Sequence, residues 1–225
     1  MENSNIENQV PAVIAALRRF SRPRPPVERC DLCSVGLAPA HPHLLEPKTR
    51  QIVCSCDPCA ILFSGQADMR YKRVPRRIRF MADFHLTDFQ WDDLLIPIGM
   101  AFFFHSTPAE KTIALYPSPA GAVESLLDLE AWRDLEKANP ILRGMERDVE
   151  ALLVNRIGEH REYYIAPIDE CFKLVGMIRM KWSGLSGGTE AWKEIEQFFT
   201  DLKERSTVVS EPPAAIEVPS PKSYV

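Results

Sequence analysis

Five of the chain's six cysteines fall within one stretch of thirty residues, Cys30, Cys33, Cys54, Cys56 and Cys59, and they contain two C-x-x-C pairs, C-D-L-C and C-D-P-C. A C-x-x-C turn aims two thiolates at one centre about 2.3 Å away, and two such turns brought together close a tetrahedron of the kind that holds structural zinc. The stretch has too few apolar residues to bury a core alone, so metal binding must supply its folding free energy. The ligands read from the spacing are Cys30, Cys33, Cys56 and Cys59. Cys54 stands two residues before Cys56 and could replace it; Cys56 is preferred because its pairing with Cys59 mirrors that of Cys30 with Cys33. His41 and His43 are further reserve ligands, since H-x-H spacing puts both on one face of a strand. The plainer reading makes them polar residues of a surface hairpin, because four thiolates already satisfy one zinc. Iron is the rival metal; against it, neither C-x-x-C is followed by the glycine that lets backbone N–H groups reach the sulfurs.

A closed four-thiolate site keeps no open position for water or substrate. It says how this part of the chain folds and little about what the protein does.

The 225 residues are 26% charged and 45% hydrophobic, enough apolar material for one or two globular domains. No apolar run approaches the ~20 residues of a membrane helix, and the first ten residues lack the features of a secretory signal. A reducing cytoplasmic setting is therefore expected, where clustered cysteines serve as ligands rather than disulfides. Residues 1–80 hold 13 Lys and Arg against 7 Asp and Glu, and the remainder holds 14 against 24. Counting the thiolates leaves the first part only mildly basic.

Residues 6–20 carry apolar side chains at helical spacing, ended by S-R-P-R-P-P. Two knuckles joined by a hairpin follow, and Ala60 to Phe63 continue from Cys59 in a helix-compatible run. A treble-clef module and a plain zinc ribbon both fit. T-D-F-Q-W-D-D-L has the caps of a short helix. Residues 98–105 and 111–116 read as a strand hairpin, 129–137 as a helix capped by Asp128, and 149–157 with 162–166 as a second strand pair. Helices at 168–181 and 188–203 complete the pattern. The fold class is α+β: a small treble-clef or zinc-ribbon module, then an antiparallel sheet covered by helices. The expected divisions are 1–26 N-terminal helix and Pro-rich linker, 27–69 zinc-binding module, 70–206 α+β domain and 207–225 disordered tail. Phe102, Phe104, Leu115, Leu152, Val154 and Ile165 are expected on one buried face, under helices carrying Trp132, Leu174 and Trp192.

Catalytic constellations find little support. Ser118 and Ser125 lack a nucleophile-elbow context, and His85, His105 and His160 carry no orienting pattern. Cys171, with apolar neighbours on a helix, reads as a buried small hydrophobe. G-L-S-G-G at 184–188 reads as a turn, although a Gly-rich helix start could hold an anion. No small-molecule substrate is indicated, and an enzyme is not the expectation. The strip from Tyr71 to Phe80, with Lys72, Arg73, Arg76, Arg77 and Arg79, could grip a phosphate backbone. Its plainer role is a linker docked on the acidic second part. The loop Tyr116 to Ser125, stiffened by Pro117 and Pro119, and Trp182 beside glycines are the candidate partner-binding surface; Trp182 plugging the core under its turn is the alternative.

Taken together, C-x-x-C, H-x-H-L, C-x-C-x-x-C, A-F-F-F, A-L-Y-P-S-P-A-G-A-x-E-S, V-E-A-L-L-V, P-I-D-x-C-F-x-L-V-G and W-x-G-x-x-G-G-x-x-x-W resemble a bacterial family of unknown function whose genes accompany those of high-affinity nickel-iron hydrogenases. The resemblance spans about residues 28–203. It implies a context of hydrogen uptake, and within it an accessory, maturation or electron-transfer role alongside hydrogenase subunits. Three expectations stand: a zinc-stabilised accessory protein that binds a partner protein, a rubredoxin-like iron electron carrier, or a zinc-module nucleic-acid binder.

Overall fold

Residues along the central strands alternate between two buried faces, and that alternation sets the architecture. The computed structural model describes residues 28–64, 69–126, 128–184 and 187–210. The N-terminal helix and linker expected at 1–26 lie wholly outside the described residues, as does the tail from 211 onward. A three-stranded antiparallel sheet contains β1 (His43–Glu46), β2 (Gln51–Cys54) and β3 (Lys72–Arg73), with β1 in the middle, and helix α1 (Asp57–Ser64) follows β2. The larger sheet contains β4 (Arg79–Met81), β5 (Met100–Ser106), β6 (Lys111–Ser118), β7 (Gly121–Glu124), β8 (Glu150–Asn155), β9 (Glu162–Pro167) and β10 (Thr207–Val209). Its order is β10-β4-β9-β8-β5-β6-β7, antiparallel except where β10 runs parallel to β4. The fold is mixed α+β.

Local chemistry explains the helices. Helix α2 (Asp88–Asp93) opens on a capping box in which the Thr87 hydroxyl accepts from the Gln90 amide and the Gln90 side chain accepts from the Thr87 amide. Helix α3 (Leu129–Ala138) is capped by the Asp128 carboxylate, which takes the amides of Glu130 and Ala131. Helices α4 (Ile168–Lys181) and α5 (Gly188–Glu204) follow the last hairpin.

The expected core residues Phe102, Phe104, Leu115, Leu152, Val154 and Ile165 are all buried, but they do not share one face. Phe102, Phe104 and Leu115 join Leu153 and Tyr164 beneath α4 and α5, which contribute Cys171, Leu174, Ile195 and Phe199. Leu152, Val154 and Ile165 point the other way, with Phe103, toward Trp91 of α2 and Trp132 of α3. The sheet is therefore covered on both sides. Near-continuous apolar strands such as A-L-L-V are the mark of such a sheet, whereas one solvated face would demand alternation. Trp192, expected to cover the sheet, is 41% exposed instead; α5 turns Ile195, Phe198, Phe199 and Leu202 inward.

Three short strands depart from the expected divisions. Thr207–Val209, read as the start of a disordered tail, pair with Arg79–Met81. The loop from Tyr116 to Ser125 is largely a hairpin, with Pro117 opposite Ala122 and Ser118 opposite Gly121. Pro117 fits because β5 is in register with β6 only as far as Leu115, so the missing N–H lies past the end of that ladder. The small sheet takes its third strand from Lys72 and Arg73, beyond the boundary expected at 69.

The basic strip is built into the structure. Lys72 Nζ donates to the buried Asp148 at 2.6 Å, while Arg77 Nε and Arg79 Nη2 donate to the two oxygens of the fully buried Glu150 at 2.9 and 3.0 Å. The Lys72 pair ties the small module to the sheet, and Leu45 and Val74 reach from it into the core under α4 and α5.

Candidate metal centre

The four predicted ligands Cys30, Cys33, Cys56 and Cys59 converge, with all sulfurs within 4.8 Å of one another. Each pair has its own backbone device. Around the first, the Ser34 amide donates to the Cys30 carbonyl at 2.7 Å and Ser34 takes a positive φ of 62°, closing a tight knuckle. Around the second, the Ala60 amide donates to the Cys56 carbonyl at 2.9 Å, so the pair opens helix α1, with Pro58 in its first turn where a missing N–H costs nothing. The hairpin β1–β2 brings the two together.

The donor set fits a metal ion. Cys33 Sγ and Cys56 Sγ lie 3.6 Å apart, against an edge of about 3.8 Å for a tetrahedron with 2.3 Å metal–sulfur arms. Electrostatics point the same way. Burial pushes the Cys30 thiol up, but the amides of Cys56, Leu32 and Cys33 outweigh it and bring it down to about 6. Cys59 is pushed up to about 12 by burial and by the neighbouring sulfurs of Cys56, Cys33 and Cys30. Cys33 is also raised: the Val35 amide pulls it down, and the Cys30 and Cys56 sulfurs push it up. One thiolate forms readily; further ones crowd negative charge into the same space, and a bound cation relieves that repulsion.

Cys54 does not compete with Cys56. It belongs to a second group with His41 and His43, whose candidate ligand atoms also lie within 4.8 Å of one another. The β1–β2 register places His43 opposite Cys54. The Cys54 amide donates to the Asp31 carboxylate at 2.6 Å and its carbonyl accepts from the Asp31 amide at 2.9 Å. His43 Nδ1 lies 2.6 Å from Asp169 Oδ2 at the start of α4. That hydrogen bond raises the His43 pKa, against burial, which lowers it. No feature of the sequence taken alone pairs Asp169 with His43.

The remaining candidates are scattered. Tyr116 packs against the cluster that holds Trp132 and Phe103 on one side of the sheet, and Trp182 packs against the cluster on the other, which includes residues of α4 and α5. Trp182 Nε1 donates to the Gly184 carbonyl at 3.1 Å, and its ring lies flush on Gly187, where a Cβ would come within 3.1 Å of it. The two aromatics do not form one surface. Cys171 is fully buried, and burial raises its thiol well above the ordinary range. Ser118 Oγ donates to the Gly121 carbonyl within the β6–β7 turn, and Ser125 Oγ to the Leu95 carbonyl. The sequence reading missed the outer side of α1, where Ile61, Leu62 and Phe63 are exposed; four successive apolar residues on a short helix could not all face inward. Among the described residues no helix is long and apolar enough to cross a membrane.

A mixed α+β fold bearing a four-cysteine cluster able to hold a metal ion is thus the class that geometry defines. The chain belongs to a family of unknown function, DUF5947, whose model matches residues 29–206. No match was found among curated proteins or among solved structures.

Proposed function

We propose that the chain is a zinc-stabilised accessory or maturation protein that works by binding a partner protein, with nickel-iron hydrogenase subunits as the partner to test. The observation that carries this reading is the four-thiolate cluster of Cys30, Cys33, Cys56 and Cys59. Four protein sulfurs around one zinc leave no position for substrate, so the ion acts through the fold. Knuckle, hairpin and knuckle-opened helix follow one another as in a treble clef, the form we assign to the module. The ion's part is Lewis-acidic neutralisation of the thiolates; the protein's part is to hold four sulfurs together and to present α1. Ile61, Leu62 and Phe63 on that helix offer an apolar patch of the kind that marks protein contacts. The hydrogenase context rests on the sequence resemblance. The basic strip supports nucleic-acid binding poorly, because Lys72, Arg77 and Arg79 are paired with Asp148, Glu146 and Glu150.

The test is affinity purification from cells that express a nickel-iron hydrogenase, comparing wild type with an Ile61→Ser, Leu62→Ser variant shown to be folded. Recovery of hydrogenase subunits by wild type and their loss with the variant are expected. Absence of any hydrogenase subunit with folded, zinc-loaded wild type would overturn the reading.

A further inference from the structure

We propose that His41, His43 and Cys54 form a second metal site, separate from the four-cysteine cluster, which takes a divalent transition-metal ion of borderline softness such as zinc or cobalt through three protein ligands. The three side chains project from one face of the β1–β2 hairpin. His43 stands opposite Cys54 in the strand register, and the H-x-H spacing adds His41 on the same side.

The hydrogen bonding leaves the right atoms available. His41 Nδ1 lies 2.9 Å from the Ala38 carbonyl, which can only accept, so Nδ1 carries the proton and Nε2 carries the lone pair. That Nε2 is buried with no hydrogen-bond partner, on a side chain only 6% exposed. A buried acceptor left without a partner is costly, and a metal ion is the partner its chemistry suits. His43 is held in the matching way: Asp169 takes Nδ1 at 2.6 Å, the carboxylate–imidazole arrangement that orients metal-bound histidines and raises their basicity. The ring centroids of His41 and His43 lie 4.9 Å apart at 83°, edge to face, which keeps the two imidazoles within reach of one ion.

Two imidazoles and one thiolate suit zinc, cobalt, nickel or copper far better than calcium or magnesium, which prefer oxygen. Three ligands leave one position of a tetrahedron for water or a further ligand. His41, His43 and Asp169 line a cleft of about 550 Å³ that also receives Arg76 and Arg205, so an anionic group could reach this position. The site spans the seam between module and sheet domain, since Asp169 opens α4 while His43 and Cys54 belong to the hairpin and His41 lies just before it.

The full chain is stripped of metal under reducing conditions, reloaded with Zn²⁺ and in parallel Co²⁺, and its bound equivalents are counted by native mass spectrometry. Two ions per chain are expected for wild type. One ion is expected for the Cys54→Ser variant and for the His41→Ala, His43→Ala variant, with the cobalt–thiolate absorption of the four-cysteine cluster retained. X-ray absorption on zinc-loaded wild type needs no variant, and an imidazole signature beside sulfur is expected there. A single ion per chain in wild type, an all-sulfur zinc environment, or two ions retained by the Cys54→Ser variant would overturn the proposal. Failure of the four-cysteine reading is distinguishable, because it would show in a Cys59→Ser variant whose bound-metal count and cobalt–thiolate absorption equal those of wild type.

Discussion

His43 Nδ1 and Asp169 Oδ2 meet at 2.6 Å although 126 residues of chain separate them. The contact joins the cysteine-bearing hairpin to the first turn of α4. If it orients His43 toward a metal, Asp169→Ala should weaken the second zinc by about 10–100-fold, read by competition with a chelator of known affinity. Unchanged affinity would mean that Asp169 only docks the module.

Phe103 is fully buried and stacks on Trp132 with centroids 5.3 Å apart at 19°, and it meets Trp91 edge to face at 6.5 Å. Truncating it empties the layer that two helices cover. Phe103→Ala should cost about 3–5 kcal/mol in chemical denaturation. A loss below about 1 kcal/mol would contradict burial of this face.

Much of the sheet domain was legible beforehand, and the reasons are physical. Helices α3, α4 and α5 carry a helical pattern long enough to read, with an Asp128 cap on α3, and they fall within a residue of expectation. The hairpins β5–β6 and β8–β9 have long β-branched or aromatic runs. Strands β3, β4 and β10 were hidden because two or three residues have no readable period and two of the three lie among arginines. The placement of core residues on two faces was hidden because buried strands on both sides lose the alternation that marks a face. Cysteine spacing named the four-cysteine cluster, but the pairing of Cys54 with His43 depends on the hairpin register, which spacing leaves open.

Glu150 is fully buried and accepts from Arg77, Arg79 and the Glu146 amide. Removing the carboxylate leaves Arg79, itself largely buried, without its counter-charge. Glu150→Ala should cost about 3–5 kcal/mol, whereas replacing Arg77, about half exposed, should cost about 1 kcal/mol or less. Equal effects in thermal or chemical unfolding would contradict the ranking.

Glu170 joins α4 to the end of α5 through Arg205 Nη1 at 2.7 Å. Burial raises its pKa, but the Arg205 hydrogen bond and charge outweigh it, so the folded carboxyl titrates below its ordinary value. A depressed folded pKa contributes stability that is present above the unfolded value and is lost as pH falls through the folded one. Glu170→Gln should therefore lose about 1 kcal/mol at neutral pH, a small figure because Arg205 is half exposed. The gap from wild type should close in acid, below the usual carboxylate range of about 4. A gap that persists unchanged there would assign the effect to packing.

The most direct test of the four-cysteine centre is the metal content and absorption spectrum of protein purified without added metal, for wild type and Cys59→Ser. The account predicts colourless, zinc-containing wild type, and a variant that loses the zinc of the Cys30, Cys33, Cys56 and Cys59 cluster together with the ordered structure of residues 28–64. A red iron–thiolate protein, or a Cys59→Ser variant with full zinc content and an intact module, would contradict it.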